Sequence, residues 1–179
     1  MTIERQYIKR LKMISESTDV FNSFKEKYPE PFEEDITDKY IDLLMEKVSP
    51  VIGNEEQIKR YRDNVKITKR VSYPAEHTGY IIVHIRGYYY DESMINGHVS
   101  LQTNPTSKDH ASMEVFAGFL HNPIGQIRNR YTLNNPLSLL NDEDALIKDL
   151  INEMADAMKS SRSASKAYVD YVKRTGDMS

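Results

Sequence analysis

The chain has 179 residues, of which 28% are charged and 39% apolar; it has no cysteine and a formal net charge of −3. That length suits one hydrophobic core, so the expected organisation is a single domain over 1–179. So small a net charge argues against generic nucleic-acid or membrane-surface binding, and the missing thiols exclude a disulfide framework, a thiolate zinc site, an iron–sulfur cluster and a cysteine nucleophile.

Residues 2–62 read as helical. Ile3, Tyr7, Ile8, Leu11 and Ile14 recur at three-and-four spacing, which places them on one helix face. Arg5, Lys9, Arg10 and Lys12 lie among them with no apolar stretch behind, and no run in the chain nears the roughly 20 apolar residues of a membrane span. The expectation is a protein neither exported by a signal peptide nor inserted in a membrane. Val20, Phe21 and Phe24 mark a second helix, stopped at Tyr28-Pro29-Glu30-Pro31 because proline lacks the amide donor and biases its predecessor away from helix. A third, capped by Asp35 or Thr37 and striped with Ile36, Tyr40, Leu43, Leu44 and Val48, should end at Ser49-Pro50. Asn54 to Arg62 adds a further turn or two.

From 64 to 104 the period changes to two. Val65, Ile67, Val71 and Tyr73 alternate with polar residues, and Tyr80 to Arg86 is β-branched and aromatic enough for a central strand, continued by Tyr88, Tyr89 and Tyr90. Asn96-Gly97 predicts a hairpin turn, because both residues tolerate positive φ, with His98 to Thr103 as the returning strand. The fold class is therefore α+β: an antiparallel meander of three or more strands flanked by N-terminal and C-terminal helices.

Residues 105–176 read as loop and helices. Met113, Phe116, Ala117 and Leu120 fit a helix capped by Ser107 or Asp109, although Met113, Val115, Ala117 and Phe119 also fit a strand. His121 to Pro136, rich in Asn, Pro and Gly, reads as a long loop. Asn141 or Asp142 caps the clearest helix, with Leu146, Ile147, Leu150, Ile151, Met154 and Met158 as its buried stripe. A break is expected at Ser160 to Ser165, then a basic segment ending at Gly176.

The chemistry-bearing residues offer three readings. All five histidines, His77, His84, His98, His110 and His121, fall in one quarter of the chain near Asp91, Glu92 and Asp109, yet no pair has the short spacing that forces metal ligands together. His98-Val99-Ser100 and His110-Ala111-Ser112 have the form used in pairs by two-histidine phosphodiesterases. A histidine-dependent or metal-assisted phosphodiesterase is thus one alternative, and it needs His84, His98 and His110 to converge. No Gly-x-Ser-x-Gly elbow, phosphate loop or cofactor motif is present, so no cofactor and no catalytic residue is assigned. The candidate interface residues are Tyr88, Tyr89, Tyr90, Arg128, Arg130 and Tyr131, with the basic Lys166, Lys173 and Arg174 near the end; tyrosine and arginine are the types that anchor protein interfaces. The acidic surface around Asp142, Asp144, Asp149 and Asp156 is their counterpart.

Taken in order, the helices, the antiparallel sheet, the segment Asn122-Pro123-Ile124-Gly125-Gln126-Ile127-Arg128-Asn129-Arg130-Tyr131 and the acidic-then-basic C-terminal helices resemble the tail-completion, or tail-terminator, proteins of T4-like contractile-tailed bacteriophages. The resemblance covers most of the chain and lies in layout and texture; no functional residue is carried over from it. It implies a non-enzymatic virion subunit, in the host cytoplasm during assembly, that forms a homo-oligomeric ring such as a hexamer. Such a ring stops tail-tube growth and meets neck and sheath proteins. The second alternative is a phage-encoded inhibitor that binds a host protein.

Overall fold

The computed structural model describes residues 19–90, 93–104, 110–119, 124–134 and 137–176. The helix expected around Ile3 to Ile14 lies outside them, as do Asp91, Glu92, Asp109 and His121. Residues 19–27 form helix α1, and β1 (Phe32–Asp35) leads into α2 (Thr37–Ile52) and α3 (Glu55–Asn64). The strands β2 (Lys66–Ala75), β3 (Thr78–Tyr90), β4 (Ser93–Gln102), β5 (His110–Phe119) and β6 (Ile127–Thr132) follow, then α4 (Leu137–Asn141) and α5 (Glu143–Thr175). The six strands pair in sequence order, antiparallel throughout, which bears out the α+β meander.

Strand alternation sorts the sheet into two faces. On β3, Ile81, Val83, Ile85 and Tyr89 are buried on one side, while Ile82, His84, Arg86, Tyr88 and Tyr90 lie on the other. The buried side continues with Ile67 and Val71 on β2, Ile95, Val99 and Leu101 on β4, and Met113, Val115 and Ala117 on β5. Against it pack Phe24 of α1, Leu44, Val48 and Ile52 of α2, Tyr61 of α3 and the Ile147, Leu150, Ile151 and Met154 stripe of α5. A charged pair sits within this layer: Lys69 lies 2.8 Å from Glu143, which also accepts the Tyr28 hydroxyl at 2.7 Å. Glu143 thereby ties the start of α5 to β2 and to the end of α1.

Two glycines let helices approach the sheet closely. A Cβ at Gly87 would lie 2.4 Å from the Tyr61 ring, and one at Gly97 would lie 2.7 Å from Leu150 Cδ1 and 2.9 Å from Met154 Sδ. Tyr61 is fully buried there and donates its hydroxyl to the Ile95 carbonyl at 2.9 Å.

Several expectations need correction. Asn96 and Gly97 are not a turn; they lie inside β4, opposite Arg86 and Ile85, because Gly97 serves as a seat for α5. Residues 110–119 are strand, not helix: Ala111, Met113, Val115 and Ala117 alternate inward between β4 and β6. The expected loop over 121–136 contains β6. Pro50 does not end α2, which runs to Ile52 and closes on Gly53 in the left-handed region at φ 70. No break occurs at Ser160 to Ser165, since Ser161 is buried and α5 continues for 33 residues, about 50 Å. Asp142 does cap α5, accepting from Ala145 N at 3.0 Å, and Gly176 does end it at φ 69. Among the described residues no helix is long and apolar enough to cross a membrane.

Candidate functional site on the open face of the sheet

Among the described residues no element covers the second face of the sheet, and the strand register assembles its side chains into transverse rows. One row reads Lys66, Arg86, Asn96, Phe116, Arg128 from β2 to β6. The next reads Thr68, His84, His98, Glu114, Arg130. A third runs from Glu33 and Arg70 through Ile82, Ser100 and Ser112 to Thr132. The ring of Tyr88 is 44% exposed at one end of the face, beside Tyr90 at 48%. Two adjoining depressions share His84, Arg86 and Tyr88 in their walls and measure about 510 and 400 Å³.

This face is basic although the chain is acidic overall. Lys66, Arg70, Arg86, Arg128 and Arg130 face it, against Glu33, Asp35 and Glu114. Glu114 is engaged by Arg130, whose Nε donates at 2.8 Å, and lies 3.5 Å from Arg128 Nε. Arg130 thereby holds the Glu114 carboxyl below its ordinary range. Among the described residues no ion pair joins Lys66, Arg70 or Arg86 to a carboxylate, although after the hydrogen bonds from Thr37 the Lys66 charge helps to lower Asp35, and Arg86 lies against His84.

At the centre, the His84 and His98 rings meet edge to face with centroids 5.3 Å apart. Arg86 Nη2 lies 3.2 Å from His84 Nδ1. Guanidinium can only donate, so Nδ1 accepts and the proton of the neutral ring sits on Nε2. Burial first, then the Arg86 and His98 charges, push His84 down to about 4. Burial also lowers His98, against the opposing pull of Glu114. Both rings are therefore neutral near pH 7 and add aromatic surface rather than charge.

The histidines of the phosphodiesterase expectation do not all meet. His110 faces the same side but stands opposite Gln102, four residues along β4 from His98, about 13 Å. The two His-x-Ser segments lie on adjacent strands, and it is Ser100 and Ser112 that pair, Oγ to Oγ at 3.3 Å, leaving the imidazoles diagonal. His77 sits in the β2–β3 turn against Phe21. Among the described residues no group of three His, Asp or Glu is placed to hold a metal ion.

Of the sequence-chosen interface residues, Tyr88, Tyr90, Arg128 and Arg130 lie on the open face. Tyr89 points the other way and is buried, as alternation on a strand requires. Tyr131 turns towards the helical side, where its hydroxyl donates to Glu153 of α5 at 2.7 Å. Lys166, Lys173 and Arg174 are exposed on the last part of α5, where Val169 and Tyr171 also stand clear. Sequence reading passed over Lys66, Arg70, Arg86, Tyr80 and Phe116; following the period-two phase of His84 through each strand would have found them. Comparisons with protein-family models, curated proteins and solved structures found no match to this chain.

Proposed function

We propose that the chain is a non-enzymatic virion assembly subunit that caps or terminates the tail tube of a contractile-tailed bacteriophage and contacts neck and sheath proteins. The observation that supports this reading is the broad sheet face that no described element covers, whose exposed groups include Arg70, Arg86, Arg128, Arg130 and Tyr88 beside Lys66, Glu33 and Asp35. Arginine and tyrosine are the residue types that anchor protein interfaces, whereas small-molecule sites are concave and mostly apolar. A second surface lies on the final stretch of α5, where nothing is buried beyond Ser161 and basic groups alternate with exposed Val169 and Tyr171. A subunit with two unlike surfaces is suited to heterologous contacts, which close into rings.

The test is native mass spectrometry of the purified protein together with proteomics of purified particles. A closed ring, and stoichiometric presence in virions, is the expected result. A monomer that is missing from particles overturns the reading, and capture of a host protein by that monomer would replace it with the inhibitor alternative.

A further inference from the structure

We infer that the open sheet face seats the acidic outer surface of the helical layer of a second copy. This rests on the assembly reading and names the partner of the same face. The two surfaces lie on opposite sides of one body and carry opposite charge. On α2, Asp38, Asp42 and Glu46 recur every fourth residue and are all exposed, over about 12 Å of helix; Asp42 is paired with Arg62 and Glu46 with Lys47, so Asp38 is the member of the row outside the described ion pairs. On α5, Asp149 and Asp156 are exposed two turns apart, Asp156 being paired with Lys159 at 2.8 Å. The sheet face answers with Lys66 and Arg70, four strand residues and about 13 Å apart, and with Arg86 directly opposite Lys66. Asp38 and Asp149 on the helical layer, and Lys66, Arg70 and Arg86 on the sheet, thus stand outside the described ion pairs and carry opposite charge.

Composition points the same way. Four of the five cations on the sheet face are arginine, the basic residue enriched at protein interfaces, where lysine is depleted. Tyr88 and Tyr90 stand exposed beside them as aromatic anchors. Each copy offers one surface of each kind, so the contact is head to tail and every added copy presents the same pair again until rotation closes the ring.

The experiment uses two charge-reversed proteins and sedimentation velocity. R70E/R86E reverses the sheet face, and D38R/D149R reverses the helical layer; all four side chains lie outside the core, and matching thermal unfolding verifies the fold. Each variant alone is expected to associate roughly tenfold or more weakly than the parent. An equimolar mixture should recover association, because the reversed sheet of one then meets the reversed helices of the other. If a reversed protein does not fold, the neutral pairs R70Q/R86Q and D38N/D149N should still each weaken association at low salt. Reversals without effect on a parent that does assemble overturn this docking and leave the assembly reading standing. Loss in both variants without recovery on mixing also overturns it and points to a different partner. A parent that is monomeric throughout removes the assembly reading itself.

Discussion

Gly97→Val is expected to destabilise the protein by about 3 kcal/mol, the upper part of the range for overpacking a core. Strand propensity alone predicts the opposite sign, since valine is favoured in strands and glycine weakens them. Packing decides. Gly97 lies in the middle of β4, held on both sides by β3 and β5, so the strand cannot retreat from a new side chain. The added Cβ would fall 2.7 Å from Leu150 Cδ1 and 2.9 Å from Met154 Sδ, both on α5. Lifting α5 to make room would strip burial from Ile147, Leu150, Ile151 and Met154 together. Urea unfolding of Gly97→Val, Leu150→Ala and the double variant checks this. Leu150→Ala should itself cost about 2 to 5 kcal/mol, and the double variant should cost clearly less than the two singles combined. An unchanged midpoint for Gly97→Val would mean that α5 does not lie on Gly97.

The second large effect is acid destabilisation between pH 6.5 and 4. An unfolded imidazole titrates near 6.5, and His84 in the folded protein near 4. Between those values the unfolded chain binds more protons, so stability falls as pH drops. The full difference corresponds to about 3 kcal/mol; because the ring is only half-buried, solvent screening reduces this to about 1 to 2 kcal/mol. His98 shifts in the same direction and adds to the slope. The tight carboxylate at the helical end does not interfere: hydrogen bonds from Tyr40 and Lys39 hold Asp144 down to about 2, so its contribution is lost only below the ordinary carboxylate range, starting near 3.8. Thermal unfolding at pH 7 and pH 4.5 should show a marked drop for the parent and a smaller one for His84→Gln. Equal drops would place the acid response elsewhere.

The sequence made the large elements legible where local and tertiary preferences agree. Asp142 and Gly176 bound α5 because a carboxylate cap and a left-handed stop need no distant partner. The run Tyr80 to Arg86 marked β3 because it is rich in β-branched and aromatic residues, and burial along it alternates as a two-faced strand requires. Legibility ended where tertiary contacts outweigh local chemistry. Asn96-Gly97 carries a strong turn signal, yet the glycine is needed for what its missing side chain admits. The serine-rich stretch looked like a break, whereas Ser161 is buried close under Gly125 and the helix runs through. Met113 to Phe119 satisfied both periods, and only a position between β4 and β6 decides between them.

The candidate surface was half legible for a related reason. Tyr88 and the Arg128 and Arg130 pair stood out as short local clusters. Lys66, Arg70 and Arg86 did not, because they are divided between β2, where Lys69 turns to the other face and pairs with Glu143, and β3; the meander register brings Lys66 beside Arg86 and carries the row on to Arg128. The basic face is a product of the sheet, hidden in a chain whose formal net charge is −3.

Hydroxyl-radical footprinting of the tyrosines, comparing dilute protein with assembled protein, tests most directly whether the open face is the working surface. Labelling at Tyr88 and Tyr90 should fall severalfold on assembly, while the fully buried Tyr61 stays unlabelled in both states. Undiminished labelling at Tyr88 and Tyr90 in the assembled protein would contradict the account.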